Sequence, residues 1–310
     1  MSWLARIGGY SAAAWAMMLL AACLTLLPLL VLGFGGERAQ AWAQALARRP
    51  SKPATWARLG APAVLAVPYL LVACACGDFH LRWLALYLLL PVVVAALLED
   101  ARRADPQQRG SWRELLVLAG LGLAVDLRWL EGAWPPHLAV FSKLLLLDAG
   151  MYGFLVVRHL NGVGFDLRLR RRDLSVGGRE YAFYAPIAIL LGLGLGFLHF
   201  HAPLPSPAEA AGAFGFTFLF IAVPEELFFR GWMQNLLERR LGRIPALIST
   251  SVLFGLSHFN KRALHFNWRY VLMAALAGIF YGRAWRRERR VGASVLTHAL
   301  VDSTWSLWLR

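Results

Sequence analysis

Long uninterrupted apolar stretches are the feature that most constrains what this chain can fold into. Several of them reach the length of about 18–20 residues that a helix needs to cross a bilayer. The 310 residues are 58% hydrophobic and only 16% charged, whereas a soluble domain carries about 25% charged residues. The sequence therefore predicts a multi-pass integral membrane protein, with the lipid bilayer as its first partner.

The apolar stretches divide the chain into about ten candidate membrane helices, separated by polar or Pro- and Gly-rich joints. They run roughly over residues 8–34, 60–77, 81–98, 114–126, 137–157, 182–201, 208–236, 244–260, 268–285 and 291–309. The predicted fold class is all-α, a polytopic bundle of about ten membrane helices.

The chain is strongly basic, with a formal net charge of +14. Its Lys and Arg residues lie in short loops between the apolar runs, for example in 37–58 and 158–180. This is the distribution that the positive-inside rule expects of cytoplasmic loops. A nucleic-acid partner is therefore not predicted. The three cysteines all lie in apolar stretches and are interpreted as small buried hydrophobes.

One strongly polar motif lies inside the apolar segment 208–236. Glu226 and Arg230 are four residues apart, so they share a helix face and can neutralise one another where water is scarce. Glu225 points elsewhere on the helix and is available for chemistry. Pro224 lacks an N–H and is disfavoured inside a regular helix, so we expect it to open or bend the helix where the carboxylates face a cavity.

Two later segments each bring a histidine at the same spacing. Phe254 and His258 are four residues apart, as are His298 and Asp302. A buried carboxylate can take and return a proton, and a water held between it and a histidine becomes a nucleophile. Further donors could stabilise an oxyanion. An isolated Glu–Arg pair in a membrane helix is commonly a structural clamp, but three such motifs on three apolar segments predict one buried site.

The three motifs together resemble those of a known family. Glu225-Glu226-x-x-x-Arg230, Phe254-x-x-x-His258 and His298-x-x-x-Asp302 are similar to the signature of the CAAX protease and bacteriocin-processing (Abi) family of intramembrane proteases. The resemblance covers roughly residues 180–310. We therefore predict N-terminal membrane helices of unknown role in 1–180 and a protease domain in 181–310, with the catalytic cavity in the last four helices.

The resemblance implies a role for each motif residue. Glu225 and His258 would activate the hydrolytic water, while Glu226 with Arg230 would hold the site in shape. His298 and residue 302 would form the oxyanion pocket. The family often has Asn where this chain has Asp302, and an ionised Asp would repel an oxyanion, so Asp302 is either protonated, donates through water, or orients His298.

The family is regarded as metal-free, so no cofactor is predicted. Two histidines with two acidic groups could in principle hold zinc, and this alternative stays open.

The expected reaction is peptide-bond hydrolysis at or within the membrane. The Ala-, Leu- and Arg-rich composition is typical of a high-GC bacterium, which places the protein in the inner membrane and argues against a prenylated substrate. A membrane-associated peptide or protein, such as a helical C-terminal tail, is the expected substrate. The rival interpretation is a non-proteolytic membrane protein, either a bacteriocin-immunity or peptide-binding factor or a proton-coupled transporter. Against transport, the chain lacks the repeated halves of many secondary transporters.

Overall fold

The structure is a computed structural model that describes residues 10–47, 52–200, 205–261 and 265–309. All regular secondary structure in these ranges is helical, which confirms the predicted all-α fold. Residues 8 and 9, where the first predicted helix begins, lie outside the described ranges.

Within the described ranges, ten helical segments correspond in order to the ten predicted ones, with α2 and α3 counted together as one. In the first half they are α1 (Ala12–Ala47), α2 (Lys52–Gly60) joined through a short 3₁₀ turn to α3 (Ala66–Cys76), α4 (Leu81–Ala104), α5 (Trp112–Asp126) and α6 (Val140–Met151). In the second half they are α7 (Arg171–Gly194), α8 (Pro207–Leu241), α9 (Arg243–Leu256), α10 (Trp268–Glu288) and α11 (Val291–Trp308).

Five helical segments of the described residues are long and apolar enough to cross a membrane. They are Ala12–Ala45, Thr55–Cys76, Leu81–Ala104, Pro136–Val157 and Pro207–Leu241. The predicted integral membrane character therefore agrees with the structure.

The chain forms two compact units. The first comprises Met1–Pro106 and Ser111–His159, and the second comprises Gln107–Gly110 and Leu160–Arg310. The boundary near residue 180 between the N-terminal helices and the predicted protease domain remains a prediction.

The first unit contains a fully buried arginine, Arg158, that has two carboxylate partners. Arg158 lies with its Nε 2.6 Å from Glu114 and with a second guanidinium nitrogen 3.1 Å from the Asp105 carboxylate. Glu114 also accepts from the backbone N–H of Ser111, which caps α5. Because a buried charge is tolerated only when it is paired, this group is interpreted as a structural clamp.

The second unit is a bundle in which α10 packs against α7, α9 and α11. Small residues permit close approach of the helices, as is usual in membrane bundles. A Cβ at Gly255 of α9 would lie 2.5 Å from the Val271 carbonyl oxygen of α10, and one at Gly177 of α7 would lie 2.9 Å from the Ala293 carbonyl oxygen of α11. The Tyr184 hydroxyl donates to the Met273 carbonyl at 2.8 Å and joins α7 to α10.

Several helix boundaries in this unit differ from the sequence-based ones, among them the end of α7 at Gly194 instead of 201 and the end of α8 at Leu241 instead of 236. Helix α7 begins at Arg171 instead of 182, since its polar first turns carry no apolar signal and Asp173 caps it by accepting from the Arg170 N–H at 2.8 Å. Helix α9 ends at Leu256 instead of 260. His258 therefore lies in the turn that follows the helix.

Candidate active site

Helix α8 presents the two glutamates on an irregular stretch. The single α-helical turn Val223–Glu226 lies between two wider π-helical stretches, Phe218–Ala222 and Leu227–Gln234. Pro224 has no N–H for the regular ladder and its ring disfavours the preceding turn. The helix widens here without breaking, as π-helical stretches often do at functional sites.

Glu226 and Arg230 form a buried ion pair on this helix. Glu226 Oε2 lies 3.2 Å from Arg230 Nε, and both side chains are 0% exposed. The guanidinium also donates to the Gly278 carbonyl oxygen at 3.0 Å and lies over the ring of Phe254, 4.7 Å from its centroid. A carboxylate, a carbonyl and an aromatic face together compensate a charge that would otherwise be costly to bury.

His298 of α11 is the residue around which the site is assembled. Its Nδ1 lies 2.8 Å from Glu226 Oε1. Its Nε2 faces two further carboxylates, with Asp302 at 3.4 Å and Glu225 at 3.9 Å. The imidazole stacks on the ring of Tyr281 at 4.5 Å with an interplanar angle of 14°. Since an ionised carboxylate only accepts hydrogen bonds, the Nδ1 of His298 carries a proton.

His258 is held by the end of α9. Its Nδ1 donates to the Phe254 carbonyl oxygen at 2.9 Å, which supplies a partner to a carbonyl that the helix end leaves open. Because that carbonyl only accepts, the neutral imidazole has its lone pair on Nε2. The ring is buried against Phe254 and Tyr270, with centroid distances of 5.0 and 4.8 Å.

Glu225 is the more accessible of the two adjacent glutamates. Its side chain is 26% exposed and its Oε1 lies 3.8 Å from the ammonium of Lys261, which is itself 34% exposed. Glu225 therefore lies between a cation on one side and the imidazole of His298 on the other.

A cavity of about 70 Å³ adjoins His258 and His298, and Glu225 is not among its lining residues. Its polar wall contains His258, His298 and Asp302, and the remaining wall is mainly apolar and aromatic. The lining comes from α7, α10 and α11 together with the Phe254–His258 end of α9 and the segment after α7. The sequence predicted a catalytic cavity formed by the last four helices. The observed cavity is also lined by α7, which precedes those four.

The structure brings the six predicted site residues into one region of the second unit. Five are connected by the Glu226–Arg230, Glu226–His298, Glu225–His298 and His298–Asp302 pairs. His258 borders the same cavity as His298 and Asp302. Their catalytic roles remain predictions.

Two neighbours of the site were not predicted from sequence. Tyr281 stacks on His298 and Lys261 approaches Glu225. The Gly278 carbonyl oxygen accepts from Arg230, so Gly278 lies on the face of α10 that approaches α8. Tyr281 is three residues further along and lies on the same face. The sequence offered one indication of Lys261, namely a cation three residues after His258.

No group of three or more His, Cys, Asp or Glu side chains with metal-holding geometry occurs within the described ranges. The absence of a cofactor remains a prediction, for which chelation is the test.

The helical bundle and the buried Glu–Arg–His cluster define a membrane protein with a polar site between its helices. Residues 206–304 match the model of a protein family described as type II CAAX prenyl endopeptidase Rce1-like. The match covers roughly a third of the chain and includes all six predicted site residues, and it confirms the predicted family resemblance over that segment. Neither the curated proteins nor the solved structures gave a match.

The similarity of residues 206–304 is to a family of CAAX-type endopeptidases. Together with the five long apolar helices, it indicates an integral membrane protein.

Proposed function

We propose that this protein hydrolyses a peptide bond of a membrane-embedded substrate by means of a water activated by Glu225 and His258. The observation that carries the proposal is the unequal state of the two adjacent glutamates. Glu226 is fully buried and engaged by Arg230 and His298, whereas Glu225 is partly exposed beside His298. An engaged carboxylate orders a site, and an accessible one can accept a proton.

In the proposed reaction the Glu225 carboxylate removes a proton from water, and the water oxygen forms a bond to the carbonyl carbon of the substrate. The carbonyl π electrons move to oxygen and form an oxyanion. Collapse of this intermediate breaks the C–N bond, and Glu225 returns the proton to the departing amine. His258, with its Nε2 lone pair available, holds the water as a second acceptor.

His298 serves as the donor that stabilises the oxyanion. Glu226 accepts from Nδ1 and favours a positive imidazole, whose Nε2–H then stabilises negative charge on the substrate oxygen. Glu226 thereby already orients the imidazole of His298. We propose that Asp302, which also faces Nε2, acts as a protonated second donor to the oxyanion, and Asp302→Asn tests this role.

The proposed substrate is a membrane-associated peptide or protein, such as a C-terminal helical tail, in a bacterial inner membrane. The apolar wall of the cavity beside the two histidines supports a substrate that arrives from the bilayer.

A comparison of the C-terminal peptides of the membrane proteome tests the proposal in cells. Cells with the intact chain should contain truncated tails that are absent from cells with Glu225→Ala, provided that both proteins accumulate equally in the membrane. Identical tails in the two strains would contradict proteolysis and favour the peptide-binding or transport interpretation.

A further inference from the structure

A buried carboxylate of the first unit is shared by three arginines. Glu99 lies near the end of α4, and its side chain is buried. Its Oε1 lies 2.9 Å from Arg58 Nη2, 2.7 Å from Arg102 Nη2 and 3.0 Å from Arg103 Nε. The Tyr152 hydroxyl donates to the Arg58 carbonyl oxygen at 2.7 Å and fixes the backbone of that arginine. One negative charge therefore gathers three positive ones, which we call the arginine cluster.

The neighbouring carboxylates do not offset this excess of positive charge. Asp100 forms its own ion pair with Arg113. Asp105 and Glu114 both lie against Arg158. Among the described residues, the two outer arginines of the cluster have no acidic partner other than the shared glutamate. Because like charges held close together repel, a further anion would stabilise the cluster.

Arg102 and Arg103 retain hydrogen-bond donors for such an anion. A guanidinium carries five N–H donors, and Arg103 directs only its Nε to Glu99. Its two terminal nitrogens, like Nη1 of Arg102, have no partner within the part of the chain that the structure describes. The two side chains are 39% and 63% exposed. Accessible guanidinium forks of this kind match the oxygens of a phosphate group.

The arginine cluster lies where helices of the first unit reach the membrane surface. Two of its members lie in the last turn of α4, a candidate membrane span, and the third lies near the start of the span Thr55–Cys76. Trp56, next to that start, is exposed, and tryptophan is enriched at membrane–water interfaces. The loops 37–58 and 99–113 are basic, as the positive-inside rule expects at the cytoplasmic surface, where anionic phospholipids are found.

We propose that the arginine cluster binds the phosphate of an anionic phospholipid headgroup, such as that of phosphatidylglycerol. Arg102 and Arg103 bind the phosphate from the membrane surface, while Glu99 holds both guanidinium groups in place and the buried Arg58 adds positive charge behind them. A zwitterionic headgroup also carries a phosphate, but its ammonium is repelled by the same arginines. This site gives the first unit a lipid-binding role that does not depend on the proposed hydrolysis.

The test is native mass spectrometry of the full chain in detergent, titrated with phosphatidylglycerol or phosphatidylcholine, with inorganic phosphate as a competitor. Arg102→Gln/Arg103→Gln removes the two accessible cations. Arg171→Gln/Arg172→Gln is the matched control, because it also removes two adjacent, exposed arginines at a helix end, but in the second unit. Thermal unfolding without lipid verifies that each variant is folded.

The parent should bind phosphatidylglycerol at least about tenfold more tightly than phosphatidylcholine. Arg102→Gln/Arg103→Gln should weaken this binding by at least about tenfold, since a hydrogen bond to a charged group is worth that much or more. The control should bind like the parent, and inorganic phosphate should displace little lipid.

Single variants at Arg103 keep the test decisive if the double variant does not fold, because they leave Arg58 and Arg102 on Glu99. Arg103→Gln should weaken the binding of phosphatidylglycerol. Arg103→Lys should weaken it less, since lysine keeps the charge but lacks the fork.

Three results would overturn the site. One is equal affinity for phosphatidylglycerol in the parent and in the folded variants of the cluster. Another is an equal loss in the cluster variant and in the control, which would show attraction to net charge alone. The third is equal binding of the two lipids, or displacement of the bound lipid by an equal concentration of inorganic phosphate, which would contradict an anionic headgroup as the ligand.

Discussion

Glu226 and His298, 72 residues apart in sequence, are joined by a 2.8 Å hydrogen bond between α8 and α11. The other oxygen of the same carboxylate lies 3.2 Å from Arg230. Glu226 thus holds a histidine with one oxygen and an arginine with the other. It is a shared structural partner, and this arrangement leaves Glu225 as the glutamate available for proton transfer.

We expect Glu226→Ala and Arg230→Ala each to destabilise the protein as well as to inactivate it. Glu226→Ala leaves the buried guanidinium of Arg230 without its carboxylate, and Arg230→Ala leaves the buried carboxylate of Glu226 with His298 alone. Removal of one member of a buried ion pair costs about 3–5 kcal/mol of the free energy of unfolding. Thermal unfolding in detergent measures the effect. Arg287→Ala, at an exposed arginine of α10, is the control and should melt like the parent. Unchanged melting of both variants would contradict a buried ion pair.

The role of Asp302 is tested by Asp302→Asn. If Asp302 is a protonated donor to the oxyanion, Asn should retain much of the activity because an amide also donates. The variant should also lack any alkaline fall in rate caused by ionisation of this carboxyl group. A pH–rate profile of the variant against the parent measures both effects.

If Asp302 instead orients His298 as a carboxylate, the same variant should lose roughly four orders of magnitude in rate, as a serine protease does without its orienting aspartate. A folded but inactive Asn variant would therefore contradict the donor interpretation.

Lys261 is expected to position Glu225. Removing the ammonium in Lys261→Met should lower kcat by roughly ten- to a hundredfold, because a misplaced base is inefficient, whereas Lys261→Arg should largely restore the rate. Both side chains are partly exposed, and such pairs contribute only about 0–1 kcal/mol to stability, so melting should not change. A fall in melting temperature that parallels the fall in rate would indicate a structural role instead.

Metal independence is the fourth prediction. The purified protein should keep its activity after dialysis against a strong chelator and should contain much less than one zinc per chain. The physical reason is that a Glu–His pair can activate water by general-base catalysis without an ion. Activity that is lost on chelation and restored by zinc would move the site to metal-assisted hydrolysis.

The sequence predicted those parts of the fold that depend on local pattern. The apolar stretches located the ten helical segments, and the spacing of Glu226 and Arg230 predicted their pairing within one helix. The start of α7 was missed because its first turns are polar, and hydropathy does not reveal a helix that begins at the surface.

Long-range relationships were not predictable in the same way. The contact of Glu226 with His298 joins different helices, and so does the stacking of Tyr281 on His298. Which faces of α8, α10 and α11 meet depends on the packing of glycines such as Gly278. The motifs therefore indicated which residues form the site. Which partners each of the two glutamates contacts could be read only from the structure.

The most direct test of the central claim is hydrolysis by Glu225→Gln in liposomes. Gln keeps the shape of the side chain but cannot accept the proton, so the rate should fall by at least about a hundredfold while insertion and melting stay as in the parent. Glu209→Gln makes the same change at the exposed start of the same helix, where Gln can also fill the capping position, and it should be fully active. Near-parental cleavage by Glu225→Gln would contradict Glu225 as the base.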